Sequence, residues 1–270
     1  MIFHPTLTPL FAALVLALGL RAAGSAGAPA PFVAAADAPV VSLTELAGAR
    51  NALAQGLPTL AAGLLEKMLE ADSPPAGATR DGLALELASA RLAEGNPVAA
   101  ERALQRVEGA RTAAWHLRAG LVAARQRRWD AARTELAATR RDELAAGDRA
   151  WWHHLQGMTL DAARDFDRSR AAHEQAANVA VSDAQRAEFA LWRVRAQLNA
   201  GDVTPALAEE VRQAAERYAG TPTGRSNARL HAAALAALGR RDEAVAYLQA
   251  QLRALQAQSR APSAAERKER

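Results

Sequence analysis

The chain has no cysteine. That excludes disulfides, zinc–thiolate centres, cysteine nucleophiles and a lipoprotein anchor, which is attached to a cysteine. Lysine is nearly missing as well. It occurs only at Lys67 and Lys268, so arginine carries almost all of the positive charge. Aromatic residues make up 4% of the 270 residues, although the hydrophobic fraction is 50%. Alanine and leucine supply the difference. Sheets favour β-branched and aromatic side chains, which are sparse here. Helices favour alanine and leucine, which lose little side-chain entropy on becoming helical. The composition predicts an all-α protein whose small side chains let helices approach closely. Basic and acidic residues number 33 and 29, for a net charge of +4. The two signs are interleaved, unlike the clustered basic stripe of a nucleic-acid binder.

The N-terminus reads as an address. Leu10 to Leu20 form an unbroken apolar run of 11 residues. That suits the core of a secretory signal and falls short of the roughly 20 residues of a membrane span. Small residues follow, so cleavage is expected after Ala34-Ala35-Ala36, before Asp37, or after Gly24-Ser25-Ala26, before Gly27. No lysine or arginine precedes the run. That departs from the usual signal and leaves an inner-membrane anchor at residues 7–20 as the alternative. The expected organisation is a signal and cleavage region at 1–36, a linker at 37–41, a helical domain at 42–256 and a disordered polar tail at 257–270. The loop 72–78, with Pro74-Pro75, is the longest internal break.

The helical domain repeats. An apolar helix, a short break and a second helix opening on small residues recur six times. The breaks align on Gly56, Gly95, Arg127, Arg164, Gly201 and Gly239. Five residues after each stand Ala61, Ala100, Ala132, Ser169, Ala206 and Ala244, all small, as a close helix crossing demands. Leu83, Leu87 and Ala90 share one helical face, as do Phe189, Trp192 and Ala196, and in a second helix Leu207, Val211, Ala214 and Tyr218. Ser42 with Glu45, and Ser182 with Gln185, have capping-box spacing. Asn96-Pro97 and Thr204-Pro205 place a capping side chain before a proline at the first helical position, where its missing N–H has no partner to lose.

Trp115-His-Leu-Arg-Ala-Gly120 followed by Trp129-Asp-Ala-Ala132, then Trp152 to Gly157 followed by Phe166, and Leu238 to Ala244 carry a resemblance. Over residues 42–256 the chain resembles the tetratricopeptide repeat family. The glycine of the first helix is kept only at Gly120 and Gly157, and the spacing drifts above the family's length of about 34 residues. The resemblance implies a right-handed α-solenoid of about six hairpins whose first helices line a concave binding face. Its outward positions then select Leu117, Leu121 and Arg125 in the third hairpin and Trp151, His154, Met158 and Asp161 in the fourth. In the fifth they select Glu188, Leu191, Arg195 and Leu198, and in the sixth Arg229. An apolar floor studded with arginine suits an amphipathic or acidic peptide. The competing reading packs Trp151 and Met158 against a neighbouring hairpin or a returning C-terminal helix, because aromatic stripes are more often core than site.

Nothing in the sequence points to catalysis. There is no Gly-rich phosphate loop, no Gly-x-Ser-x-Gly elbow and no His-Glu-x-x-His pair. Asp161, Asp165 and Asp167 lack the glycine and final glutamate of a calcium loop. His153 and His154 are adjacent and diverge by roughly 100° on a helix. His116 and His153 are expected as packed or hydrogen-bonded imidazoles. Trp129 and Phe166 share one repeat position, and Trp115, Trp152 and Trp192 are expected as wedges between hairpins. The resulting expectation is a non-enzymatic scaffold without cofactor or metal, periplasmic or secreted, holding a peptide or partner protein. The alternatives are an accessory subunit of an envelope enzyme or glycan-processing complex and, less favoured, an RNA-binding helical repeat.

Overall fold

The structure is a computed structural model and describes residues 40–71 and 79–260. The expected signal segment, the 72–78 break and the last ten residues lie outside that range. Among the described residues there are twelve α-helices, one short 3-10 turn and no strand, an all-α architecture. The hairpins are α1 (Val40–Ala54) with α2 (Pro58–Glu70), α3 (Arg80–Ala93) with α4 (Pro97–Leu104), and α5 (Ala113–Arg125) with α6 (Trp129–Ala138). Then come α7 (Ala146–Ala162) with α8 (Phe166–Asn178), α9 (Asp183–Ala200) with α10 (Pro205–Arg217), and α11 (Pro222–Ala237) with α12 (Arg241–Arg260). No described helix is long and apolar enough to cross a membrane.

All six aligned break residues are left-handed. Gly56, Gly95, Gly201 and Gly239 have φ between 74° and 80°, and Arg127 and Arg164 have φ of 60° and 61°. Each turn uses the same hydrogen bonds. The Arg127 N–H donates to Ala124 O at 3.0 Å and the Arg128 N–H to Ala123 O at 2.8 Å. The equivalent pair recurs around Arg164, where Asp165 N–H donates to Leu160 O. This six-to-one bond with a left-handed residue is the Schellman ending, which satisfies carbonyls the last helical turn leaves open. Glycine adopts it without a Cβ clash. The two arginines adopt it at a cost of about 1 kcal/mol.

The small-residue rule holds in five hairpins and fails in the fifth. Ala61, Ala100, Ala132 and Ser169 are fully buried and Ala244 nearly so, but Ala206 is exposed. The cause is turn length. Five second helices start two residues after the left-handed residue, whereas α10 starts at Pro205, four after Gly201. The added Asp202 and Val203 shift the register by two, and Ala208, 3% exposed, takes the crossing position.

The caps explain why the helices start where they do. The Leu207 N–H donates to Thr204 Oγ1 at 3.1 Å and the Ala99 N–H to Asn96 Oδ1 at 3.1 Å. Gln185 N–H donates to Ser182 Oγ at 3.2 Å, while Gln185 Oε1 accepts from the Val181 N–H at 3.0 Å. Ser42 differs from expectation. Helix α1 already begins at Val40, so Ser42 lies inside the helix and not at its N-cap. Helix α12 likewise continues to Arg260, past the expected start of a disordered tail at 257.

Within hairpins the helices are antiparallel, as shown by His116 of α5 against Glu135 of α6 and His154 of α7 against His173 of α8. Successive first helices run side by side: α3 meets α5, α5 meets α7 and α9 meets α11. Between α7 and α9 the contact passes through aromatic rings. Trp151 lies edge-on to Phe189, and His154 packs against Phe189 and Trp192, with centroids 5.0 to 5.3 Å apart. Polar links cross the same face. Arg118 donates to Leu85 O and Ser89 Oγ of α3 and reaches Asp148 of α7 at 3.0 Å, which ties three first helices together.

Candidate functional site

The first-helix face predicted for binding divides into a closed half and an open half. In the third and fourth hairpins its central residues are core. Leu117, Leu121, His154 and Met158 are 1%, 6%, 0% and 4% exposed, so none of them offers surface to a partner. The physical reason is the close lateral packing of the first helices. Gly120, without a side chain, brings Leu155 of α7 close enough that a Cβ there would fall 2.6 Å from its Cδ2. Trp151 is half-buried, with its edge against Phe189, which is what packing on a neighbouring hairpin requires.

In the fifth and sixth hairpins the same face is open. Leu191 of α9 is half-buried, and Arg195 of α9 and Arg229 of α11 are exposed. Arg195 lies over the Trp192 ring, 4.9 Å from its centroid. That stacking fixes the guanidinium plane while leaving its donors outward. At the boundary of the two halves, exposed Arg125 of α5 reaches across to Glu188 of α9 at 3.4 Å. Neighbouring bulk pushes the Glu188 carboxyl above the usual carboxylate range, and Arg125 draws it partly back. Leu198 and Asp161, also on the predicted face, are half-buried, and Asp161 accepts from Asn199 Nδ2 at 3.2 Å.

Beneath the boundary lies a cluster not foreseen from the sequence. His154 and His173 are both fully buried, with Nδ1 atoms 3.3 Å apart. Such an approach requires one ring to carry its proton on Nδ1 and the other to accept it. Both Nε2 atoms are buried without a partner. Burial, then the positive charges of His173 and Arg125, hold His154 well below the usual imidazole range, and burial holds His173 down to about 4. Gly157 makes the room, because a Cβ there would meet the His173 ring at 2.5 Å.

Compared with family models, curated proteins and solved structures, the chain matches none.

A second feature lies away from the predicted face. Helix α4 has 8 residues, where α2, α8 and α10 each have 13. Its shortness leaves a cleft of about 410 Å3 beside α5 and α6, lined by Leu104, Val107, Trp115, Val122 and the charged Arg128 and Glu135. Trp115 Nε1–H donates to Leu104 O at 3.3 Å, and Arg111 covers its ring at 4.4 Å. The signal was present in the sequence: Gly95 to Arg127 is the shortest interval between breaks. His116, expected as a hydrogen-bonded imidazole, meets Glu135 at 2.7 Å. His153 is half-buried, and burial lowers its pKa. Trp129 and Phe166, paired by the repeat, are both half-buried at the first residue of their helices. Among the described residues no group of three or more His, Asp or Glu is arranged to hold a metal ion.

Proposed function

We propose that the protein is a non-catalytic binding scaffold of tetratricopeptide-like type, a right-handed solenoid of six hairpins, working in the bacterial envelope. It holds a peptide or partner protein on the open part of its first-helix face. The observation that carries this reading is the grouping of half-buried Leu191 with exposed Arg195 and Arg229 on the adjoining helices α9 and α11. An apolar contact flanked by planar, always-charged donors suits an acidic amphipathic segment, because guanidinium pairs bidentately with carboxylate. Helical-repeat proteins distribute contacts over several hairpins, and these residues come from two. The export part of the reading rests on the apolar run Leu10–Leu20 and the small residues after it.

The reading is tested by charge reversal. Arg195→Glu with Arg229→Glu is expected to reduce capture of partners crosslinked in the native envelope by at least about tenfold, with only a small change in melting temperature. Capture undiminished in the folded double variant would remove this face from the function.

A further inference from the structure

His154 of α7 and His173 of α8 bring two ring nitrogens together in the core of the fourth hairpin, where the proposed binding face makes no use of them. Their Nδ1 atoms are 3.3 Å apart. An N–H···N bond is best when straight, which sets the two rings end to end. Rings end to end across that gap would hold their centroids further apart than the 5.1 Å seen, and the planes meet at 47°. The ring axes therefore bend away from the line joining the two nitrogens. Two nitrogens about 2.0 Å from one ion, at tetrahedral or trigonal angles, lie about 3.3–3.5 Å apart. The spacing suits chelation of an ion as well as it suits a hydrogen bond.

The proton-sharing form leaves a donor site unused. The ring that carries its proton on Nδ1 has a bare lone pair at Nε2, and both Nε2 atoms are buried without a partner. Aromatic rings surround the pair. The centroids of Trp151, Phe189 and Trp192 lie 5.0 to 5.5 Å from that of His154, and Trp192 is also 5.9 Å from His173. Such rings accept an N–H against their faces and offer nothing to a lone pair. An ion held by both Nδ1 atoms puts the proton on Nε2 in both rings, and both imidazoles stay neutral, as metal ligation requires.

The surroundings select the ion. Glu188, next to Phe189 in the chain, is engaged by Arg125 at 3.4 Å, so its carboxylate is not free to offset the second charge of a divalent cation. Buried charge without such an offset is costly, and a single charge costs less than two. Met158 is 4% exposed and stands four residues after His154 on α7, the spacing at which helix side chains meet. It adds a soft thioether. Imidazole with thioether, in the absence of thiolate and free carboxylate, favours Cu(I), and the faces of the tryptophans favour a cation. We propose that His154 Nδ1, His173 Nδ1 and the Met158 thioether form a three-coordinate site for Cu(I). All three side chains are buried, so loading requires the hairpin to open and is slow.

Anaerobic titration of the full chain with Cu(I), with bicinchoninate as the competing chelator and long equilibration, tests this. The wild type is expected to withdraw one equivalent of copper and to lose tryptophan fluorescence, because the ion lies among Trp151 and Trp192. His173→Leu, with unchanged far-ultraviolet circular dichroism, is expected to lose both signals, and His153→Ala to keep both. Met158→Leu is expected to bind at least about tenfold more weakly. A wild type that leaves all the copper with bicinchoninate overturns the proposal. So does a folded His173→Leu or Met158→Leu that takes up copper as the wild type does, which places the copper elsewhere. Zn(II) that displaces Cu(I) at equal concentration also overturns it, by assigning the pair to a divalent ion.

Discussion

His154 and His173 face one another across the α7–α8 hairpin with their Nδ1 atoms 3.3 Å apart and both outer ring nitrogens buried without partners. The two Nδ1 atoms share one proton, and protonating both of them would set two N–H groups against each other. In an unfolded chain an imidazole takes up its proton near pH 6.5. In the fold His173 does so only at about 4, and His154 also well below the ordinary value. Between those limits the unfolded state binds more protons, so acidification favours unfolding. Stability is expected to be complete above about pH 6.5 and to fall steadily toward pH 4, by about 3 kcal/mol for His173 alone. Urea melts at a series of pH values check this. His173→Leu restores the residue that Leu65, Leu104 and Leu136 hold in other hairpins, and is expected to flatten the slope. An equal slope in wild type and variant would exclude the pair as its source.

Arg127 and Arg164 hold left-handed backbone where four other turns have glycine. Arg127→Gly and Arg164→Gly remove the Cβ clash and add chain entropy to the unfolded state, so the expected net gain is about 0.5–1 kcal/mol each. Thermal melts of both single variants measure it. A loss of stability would show that the arginine side chains contribute more than the strain costs.

The crossing position in the fifth hairpin is Ala208, displaced from Ala206 by the longer turn. Ala208→Leu is expected to cost about 1–3 kcal/mol by overpacking. Ala206→Leu, at an exposed site, is expected to fall within about 0.5 kcal/mol of wild type. Equal penalties would contradict the shifted register.

These positions also show what the sequence could reveal. The six turns were legible because each joins two local signals, a helical apolar face that stops and a residue that tolerates or is forced into left-handed backbone. The fifth register was legible only through Thr204-Pro205, which starts its helix two residues later after the turn than Asn96-Pro97 does. The exposure of the proposed binding face was half legible. The spacing implied by the resemblance selects Leu117 and Leu191 by one rule, yet Leu117 is core and Leu191 only half-buried. That difference depends on how closely adjacent first helices pack, a tertiary property no single helix encodes. The histidine pair was hidden for the same reason, since residues 19 apart meet only when α7 and α8 fold together.

Trp151 is both rim and brace. Its contact with Phe189 and His154 makes it part of the α7–α9 junction. Trp151→Ala is therefore expected to destabilise the fold by about 2–4 kcal/mol, which makes it unsuited to testing binding alone. An unchanged melting temperature in this variant would show that the aromatic junction does not hold these hairpins together.

The binding claim is tested most directly by site-specific photocrosslinking in the native envelope. A crosslinking residue is placed singly at Leu191 or Arg229 on the first helices, and at the exposed Arg133 or Gln213 on second helices. The account predicts one common partner captured from Leu191 and Arg229, lost on adding Arg195→Glu, and no capture from Arg133 or Gln213. Capture from Arg133 or Gln213 without capture from Leu191 and Arg229 would contradict it.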